Sequence, residues 1–436
     1  MKIKLTFLSL IMLVACQWRN QQPTVSEDNF VKVESSRLML NGKPYNYVGT
    51  NFWYGAILGS TGQGGDRERL HKELDTLKAL GVTNLRVLVG SDGKGGVPAK
   101  VEPTLQLEPG VYNDTILDGL DYLLAEMAKR DMKAVLYLNN SWEWSGGYGM
   151  YLEWAGEGKA PAPSIDGYDK FMAFVSQFST NVKAQELFYD HVRYIVSRTN
   201  RYTEVKYTDD PTIMAWQVGN EPRAFMPSQT ADPAPQKAAF ASWIAKTAEI
   251  IKGLDTNHLV SVGSEGKHGC EQDMELFRTI HADPNIDYAC IHIWPYNWAW
   301  VSKETVDTGV QVAMDNTRAY IDEHIVVAKE LGKPVVLEEF GYPRDGFQFS
   351  KTSSTTGRDK YYDFVFQLVM SEDYPLLNGC NFWGWGGLAE PAHLRWAPYD
   401  EYTGDPAQEE QGLNSVFASD SSTVAVIKHH ALPSAK

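Results

Sequence analysis

Two glutamates of the chain lie at the ends of short apolar runs. Residues 212–222 are largely apolar up to Asn220 and Glu221, and residues 333–341 contain a second run that ends at Glu339. Runs this poor in polar residues predict strands that are buried on both faces. In an α/β barrel, the carboxyl ends of the strands carry the chemistry. Two carboxylates from different strand ends suit glycoside hydrolysis, where one protonates the leaving oxygen and the other attacks the anomeric carbon or activates water.

The residues themselves leave two points open. Glu221 lies between Asn220 and Pro222, and a polar side chain there is also typical of the N-terminal cap of a following helix. Glu338 and Glu339 are neighbours, and successive side chains of a strand point to opposite faces. We therefore expect one of these two glutamates to face the barrel mouth, but the spacing does not say which.

Eight apolar runs alternate with segments of helical periodicity. The strands are predicted at 45–51, 84–90, 134–140, 212–222, 259–265, 288–294, 335–340 and 379–386. The helices are predicted at 66–80, 116–130, 184–200, 238–254, 271–281, 313–331, 359–370 and 424–430. This alternation predicts an α/β protein with a single (β/α)8 TIM barrel and extended loops after its strands. Residues 31–44 predict a short N-terminal β-hairpin with Asn41–Gly42 as its turn.

Composition and charge limit the partners of the chain. It has 436 residues and a formal net charge of −15, which argues against nucleic acid and anionic lipid headgroups as partners. No Cys-x-x-Cys pair, His-Glu-x-x-His motif or glycine-rich phosphate loop occurs, so we expect no metal site and no cofactor. The 13 tryptophans are either large core residues or platforms on which sugars stack. We expect a monomer.

The N-terminus has the pattern of an export signal. Lys2 and Lys4 precede an apolar run over residues 5–15, which is too short for the roughly 20 residues that span a bilayer. Leu-Val-Ala-Cys at 13–16 has the form of a lipobox, which would make Cys16 the lipidated first residue. We therefore expect a lipoprotein signal peptide at 1–15, a flexible tether at 16–30 and a catalytic domain at 31–436. The protein would be exported and anchored to a bacterial membrane through lipid alone, with the membrane face left open.

The strand ends resemble glycoside hydrolase family 5, in particular its mannanase branch. Asn-Glu-Pro at 220–222 together with Glu-Phe-Gly at 339–341 is the strongest part of the resemblance, which runs from about Phe30 to Lys428. Further matching motifs lie at 51–54, 85–87, 110–113, 140–144, 216–219, 292–295 and 382–383.

The resemblance assigns the two catalytic carboxylates. The family nucleophile directly precedes Phe-Gly, which implies that Glu339 is the nucleophile and Glu221 the acid/base. Glu338 would then face the helix layer or support the fold. Asn220 is implied to bond the 2-hydroxyl of the substrate, and Arg86 to hold Glu339 ionised.

The resemblance also implies substrate contacts. His292 would shape the −1 subsite and Trp383 would form its floor, while Trp53 and Trp142 are either sugar-binding or packing residues. Trp294 occupies the place where many mannanases carry a tyrosine. The tyrosine hydroxyl that bonds the nucleophile in those enzymes is therefore lacking here, or Tyr296 provides it.

These residues favour a retaining hydrolase of β-1,4-mannosidic bonds in mannan or mannooligosaccharides. Internal cleavage of mannan is the first interpretation. Exo-acting release from mannooligosaccharides is the second, because the loop at 142–147 and the segment at 405–411 resemble a subgroup that includes exo-acting β-mannosidases. A glucan substrate is a third option. A surface lipoprotein that binds glycans without cleaving them is the alternative from another class.

Overall fold

The structure, a computed structural model, describes residues 29–226 and 231–432. Its strands are β1 (Lys32–Glu34), β2 (Arg37–Leu40), β3 (Lys43–Pro44), β4 (Tyr47–Asn51), β5 (Asn84–Leu88), β6 (Gln106–Glu108), β7 (Val111–Tyr112), β8 (Lys133–Tyr137), β9 (Ile213–Gln217), β10 (Leu259–Ser261), β11 (Ala289–Ile293), β12 (Val335–Phe340), β13 (Leu377–Phe382), β14 (Trp385–Gly387) and β15 (Val416–Phe417). Its α-helices are α1 (Gly55–Leu58), α2 (Arg67–Leu80), α3 (Asp114–Ala128), α4 (Gly147–Ala155), α5 (Pro163–Asp166), α6 (Tyr168–Val175), α7 (Val182–Val196), α8 (Ala234–Leu254), α9 (Met274–Ala282), α10 (Val310–Leu331), α11 (Thr356–Val369) and α12 (Ser421–Ala431).

Eight parallel strands form the central sheet in the order β10-β9-β8-β5-β4-β13-β12-β11. The two end strands approach each other, since the backbone N–H of Asp287 donates to Val260 O at 2.8 Å and that of His292 donates to Glu265 O at 3.3 Å. The sheet is thereby nearly closed, with helices between successive strands. The predicted (β/α)8 barrel is confirmed, and every predicted barrel strand and helix is present.

Helix α2 shows how the sequence sets these elements. Asp66 caps its N-terminus by accepting a hydrogen bond from the backbone N–H of Arg69 at 2.8 Å. Its leucines at three- and four-residue steps are buried against the barrel, with Leu74 fully inaccessible. Gly81 ends the helix with a φ of 86°, a left-handed conformation that glycine adopts without steric cost.

The N-terminal sheet differs from the predicted hairpin. It contains three antiparallel strands, β1 to β3, with the expected turn at Asn41–Gly42 and a second turn at Ser35–Ser36. Both serines have positive φ, 50° and 61°. Serine is not typical of such positions, so the sequence offered no signal for this turn.

The insert after β8 also contains more structure than the sequence predicted. Helices α4, α5 and α6 occupy it, although its short apolar stretches gave no long helical periodicity. At the other end of the chain, residues 388–415, here called the covering segment, lie across several strand ends. Its residue Gly404 accepts a hydrogen bond from the Trp53 indole at 3.1 Å and contacts Gly384.

The predicted signal peptide at 1–15 and lipidated Cys16 lie outside the described residues, as does the tether up to residue 28. Within the described ranges, none of the helices has the length and apolar character needed to cross a bilayer.

Candidate active site

Glu221 lies just beyond the end of β9, where the backbone turns sharply. Its φ is +48°, in the left-handed region that costs a non-glycine residue roughly 1–2 kcal/mol. Its backbone N–H donates to Gly263 O at 2.9 Å, which ties it to the neighbouring strand end. The carboxylate is held at both oxygens: Oε2 accepts from the Trp142 indole N–H at 2.6 Å, and Oε1 lies 2.9 Å from His292 Nδ1. The Glu221 side chain is therefore fixed in one orientation.

Glu339 lies on β12 and faces Glu221. It is 2% exposed, and its Oε1 accepts a hydrogen bond from the Arg86 guanidinium. Its Oε2 lies 3.3 Å from His292 Nδ1. One carboxylate oxygen of Glu221 and one of Glu339 lie within 4.8 Å of each other, with His292 between them. The structure thus brings both predicted carboxylates to the same barrel mouth.

Arg86 lies on β5 at the base of this site and is fully buried. Besides Glu339, its guanidinium donates to Gln217 Oε1 at 2.7 Å, Asn51 Oδ1 at 3.0 Å and Asn220 Oδ1 at 2.8 Å. A buried guanidinium is costly unless its donors are satisfied, and here four acceptors from the ends of three strands, β4, β9 and β12, satisfy it. Arg86 therefore lies beneath these four acceptor groups and fixes their positions.

Glu338 also points into the barrel, so the expectation that it faces the helix layer was wrong. It has no partner in the β11–β12 register, which pairs Ile291 with Leu337 and His292 with Glu339. This irregularity lets two consecutive side chains turn inward, against the strict alternation of a regular strand. The Glu338 carboxylate accepts from Gln217 Nε2 at 2.7 Å and from the Tyr288 hydroxyl at 3.0 Å. Glu338 thus supports the fold below Glu339, which was the second of the two predicted roles.

His292 links the carboxylates electrostatically. Burial opposes the charged imidazolium, but the charge of Glu339 and hydrogen bonds to Glu221 and the β12 carboxylates outweigh it and raise the His292 pKa well above its usual value. These contacts favour the charged imidazolium form of His292. Its charge offsets the repulsion between two carboxylates held close together.

Glu221, His292 and Glu339 form the one group within the described ranges that brings three metal-ligating atoms together. The Arg86 guanidinium already neutralises Glu339, and the charged His292 occupies the centre of the group. Both positive charges oppose a bound cation, so the chemistry of this donor set does not fit a metal site.

The predicted tryptophans occupy different positions. Trp294 and Trp383 meet edge to face, with ring centroids 6.0 Å apart, and the buried Trp383 indole N–H has no partner among the described residues. Trp142 is half-buried at the cleft and bonds Glu221. Trp53 is 2% exposed, and its N–H is taken by Gly404 of the covering segment, so it lies in the packing layer behind the site. Tyr296 packs against Phe347, 4.7 Å between centroids, and no hydrogen bond of the described structure joins it to Glu339.

Glu409 of the covering segment is a residue that sequence reasoning missed. Burial raises the pKa of its carboxyl well above the usual value, and neighbouring carboxylates that include Glu339 and Glu221 raise it further. Its Oε2 is buried without a hydrogen-bond partner among the described residues. Glu409 therefore lies within electrostatic range of both carboxylates. The segment at 405–411 resembles in sequence a subgroup that includes exo-acting enzymes. No strand pattern in it indicated that Glu409 lies near the catalytic carboxylates.

A second missed feature is an ion pair beside the acid. Arg223, two residues after Glu221, donates to both oxygens of Glu265 at 2.5 and 2.6 Å. The Arg223 guanidinium lies 5.0 Å from the Trp142 ring centroid. The pair thus supports the ring that bonds Glu221.

A (β/α)8 barrel that holds two buried carboxylates this close at its strand ends defines a glycoside hydrolase. The comparison with known families agrees, since the profile of glycoside hydrolase family 5 β-mannosidase-like proteins matches residues 28–436. The chain belongs to glycoside hydrolase family 5, in its mannanase branch, and is a glycosidase.

Individual relatives support the same placement. Mannan endo-1,4-β-mannosidase 7 of Arabidopsis thaliana is 31% identical over 383 residues, covering 84% of this chain and 79% of that protein. The crystal structure of a family 5 mannosidase from Rhizomucor miehei matches with a TM-score of 0.83 at 33% identity, over 93% of this chain and 97% of that one. An endo-1,4-β-mannanase from Rhizomucor miehei matches with a TM-score of 0.62 at 25% identity, over 92% and 98%.

Proposed function

We propose that this glycosidase cleaves β-1,4-mannosidic bonds in mannan or mannooligosaccharides with retention of anomeric configuration. The separation of the carboxylates carries the proposal. Retaining glycosidases hold their two carboxyl groups about 5–5.5 Å apart, whereas inverting ones leave about 6.5–9.5 Å for a water molecule. One oxygen of Glu221 and one of Glu339 lie within 4.8 Å of each other, which is nearer to the retaining separation than to the inverting one.

In this proposal Glu339 is the nucleophile. Arg86 fixes the oxygen that it bonds, and the other oxygen, on the side of His292, attacks the anomeric carbon. Glu221 donates its proton to the leaving oxygen as the bond to carbon breaks. Water then attacks the glycosyl-enzyme, with Glu221 as the base that takes its proton, and the ester to Glu339 breaks.

Asn220 is proposed to meet the 2-hydroxyl of the sugar. Its Oδ1 accepts from Arg86 at 2.8 Å, and its Nδ2 donates to Asn140 Oδ1 at 3.2 Å. An amide nitrogen has two N–H groups, so one remains to donate to the substrate. His292, Trp294 and Trp383 are proposed to line the −1 subsite around it.

The mannan substrate is supported by the names of the relatives, among them mannan endo-1,4-β-mannosidases of plants. The test is release of reducing ends from β-1,4-mannan, with cellulose as the matched polysaccharide. Glu339→Ala should abolish turnover while the folded state, followed by circular dichroism, is kept. Activity on cellulose alone, or an active Glu339→Ala variant, would refute the proposal.

Exo-acting release is a second candidate that a specific observation favours. The covering segment lies over the strand ends, where its Gly404 accepts the Trp53 indole N–H, and a segment in that place would close one end of an open cleft. The TM-score to the Rhizomucor miehei mannosidase, 0.83, also exceeds that to its endo-mannanase, 0.62. Early products decide between them: mixed oligosaccharides from mannan indicate internal cleavage, and mannose alone from the first minutes indicates exo action.

Export with a lipid anchor at Cys16 is proposed from the N-terminal sequence. The full chain, expressed in a bacterium fed labelled palmitate, should incorporate the label and sediment with membranes. Cys16→Ser should lose both properties while hydrolysis is unchanged. A wild-type chain without label would refute the anchor and leave the activity untouched.

A further inference from the structure

A large cavity lies beside the catalytic centre, between residues 94–109 and the helical insert that contains α4 to α6. Its volume is about 880 Å³, within the range of about 300–1,000 Å³ that is typical of ligand pockets. The Trp154 and Phe171 rings provide apolar surface, and Lys100 and Glu143 bring polar groups into the same space. Apolar walls with a few converging polar groups are what small-molecule sites share.

Burial lowers the pKa of Lys100, and the carboxylates Asp92, Glu153 and Glu102 oppose this lowering from a distance. The residue is 4% exposed, yet within residues 29–226 and 231–432 no hydrogen bond or ion pair reaches its Nζ. Burying an ammonium without a partner is costly, so such a group is retained where something else accepts its hydrogen bonds. Glu143 complements it, because its Oε2 is buried and also lacks a partner among the described residues. The cavity thus offers one unused donor and one unused acceptor.

The charge of the lining indicates the chemistry of the occupant. Four lysines and four carboxylates line the cavity, so it is formally neutral. Two of these lysines form ion pairs with lining carboxylates, Lys94 with Glu108 at 2.6 Å and Lys170 with Asp166 at 2.8 Å. A neutral site with a free donor and a free acceptor matches hydroxyl groups, which both donate and accept, better than it matches an anion.

The cavity shares a wall with the catalytic centre. Glu143 follows Trp142, whose indole N–H bonds the proposed acid Glu221. Tyr168 connects the two sides, since its hydroxyl donates to Glu143 Oε1 at 2.9 Å and its ring lies 6.3 Å from that of Trp142. A ligand in the cavity is therefore separated from the acid by a single layer of side chains.

We propose that this cavity is a distal subsite for a neutral hexosyl unit of the substrate, remote from the bond that is cleaved. The unit would lie against Trp154, accept hydrogen bonds from Lys100 and donate to Glu143. This inference rests on the proposed function, because the unit belongs to the same β-mannan chain or to one of its branches.

The test compares a short substrate with a long one. Trp154→Ala should leave kcat/KM for p-nitrophenyl β-mannopyranoside within twofold of the wild type, because that substrate reaches only the catalytic centre. For β-1,4-mannohexaose, kcat/KM should fall about tenfold, which corresponds to about 1.4 kcal/mol. Val326→Ala, an exposed position on α10, is the control and should change neither. Equal loss on both substrates, or no loss on either, would overturn the inference.

Lys100→Met separates ligand binding from a structural role. The variant keeps the length of the side chain and removes a buried ammonium that forms no hydrogen bond or ion pair with the described residues, so its melting temperature should equal or exceed that of the wild type. Its kcat/KM for mannohexaose should fall about fivefold or more, with p-nitrophenyl mannoside unaffected. A lowered melting temperature with equal losses on both substrates would mean that Lys100 serves the fold, against the inference.

Binding without turnover distinguishes failure of this inference from failure of the proposed function. Mannohexaose is titrated calorimetrically into Glu339→Ala and into the same chain with Trp154→Ala added. Weaker binding of the second chain supports the subsite even if the wild type proves inactive on every mannoside. Equal affinities overturn the subsite even if the wild type hydrolyses mannan.

Discussion

Replacement of Arg86 by methionine tests the organisation of the site most directly. The change keeps much of the side-chain volume and removes a guanidinium that donates to Glu339, Gln217, Asn51 and Asn220. Removing one partner of a buried ion pair costs about 3–5 kcal/mol, because the remaining charge is left uncompensated. The entropy of unfolding of about 400 residues is about 0.8 kcal/mol per kelvin. The melting temperature should therefore fall by about 4–6 °C.

Activity should fall further than this loss of stability explains. Without Arg86, the carboxylate of Glu339 and the amide of Asn220 lose the donor that orients them both. If about 3–5 kcal/mol of that orientation is also lost at the transition state, kcat/KM falls about 10²–10⁴-fold. The assay is p-nitrophenyl β-mannoside hydrolysis at a temperature well below both melting transitions, where each variant stays folded.

Arg198→Met is the matched control. Arg198, whose side chain is 10% exposed, forms a bidentate pair with the fully buried Asp121 of helix α3, at 2.6 and 2.9 Å and away from the catalytic carboxylates. It should lose similar stability and keep kcat. Arg86→Met with a wild-type melting temperature and wild-type kcat/KM would refute the reasoning. So would an equal loss of kcat in both variants, since the effect would then follow stability alone.

Three further outcomes are expected. Trp142→Phe removes the N–H that bonds Glu221, and since a hydrogen bond to a charged group contributes about 1.5–3 kcal/mol, kcat/KM should fall about 10–150-fold with KM little changed; steady-state kinetics that show a change in KM alone would contradict this. His292→Gln should be less stable than the wild type mainly at low pH. A raised pKa makes the His292 contribution fully present below about pH 6.5 and lost as pH rises through the folded value, so urea unfolding at pH 6 and pH 10 should show a shrinking difference. Leu74→Ala in α2 should cost about 2–5 kcal/mol of unfolding free energy in the same assay without loss of kcat, because the side chain is fully buried outside the site.

The architecture was predictable because its signals are local and repeated. Each barrel strand is a short apolar run, and helices such as α2 carry a cap at Asp66, buried leucines at helical spacing and a glycine stop at Gly81. The motif at Glu221 was equally visible, since an apolar run that ends in Asn-Glu-Pro marks a strand end. These features depend only on residues that are close to one another in the sequence, so one sequence is enough to recognise them.

The remainder depended on contacts between distant segments. Glu338 turns inward because the β11–β12 register is irregular. The residue types in that run do not indicate this irregularity. Glu409 approaches the catalytic pair only because an irregular segment folds back over the strand ends. The Ser35–Ser36 turn uses residues that seldom take positive φ. In each case the position is set by tertiary packing, which periodicity and composition do not encode.

The way Asp405 holds its surroundings bears on how such enzymes change specificity. This buried carboxylate accepts hydrogen bonds from the backbone N–H groups of Gly412, Asn414 and Ser415, at 2.7 to 3.1 Å, from residues that follow it in the same loop. The loop is thus organised around its own carboxylate, while Arg344 and Arg358 bind its last backbone carbonyls from outside the loop. Substitutions between these attachments leave both the loop's fold and the catalytic residues beneath it in place. Substrate range within this scaffold can therefore diverge through the loop without redesign of the barrel.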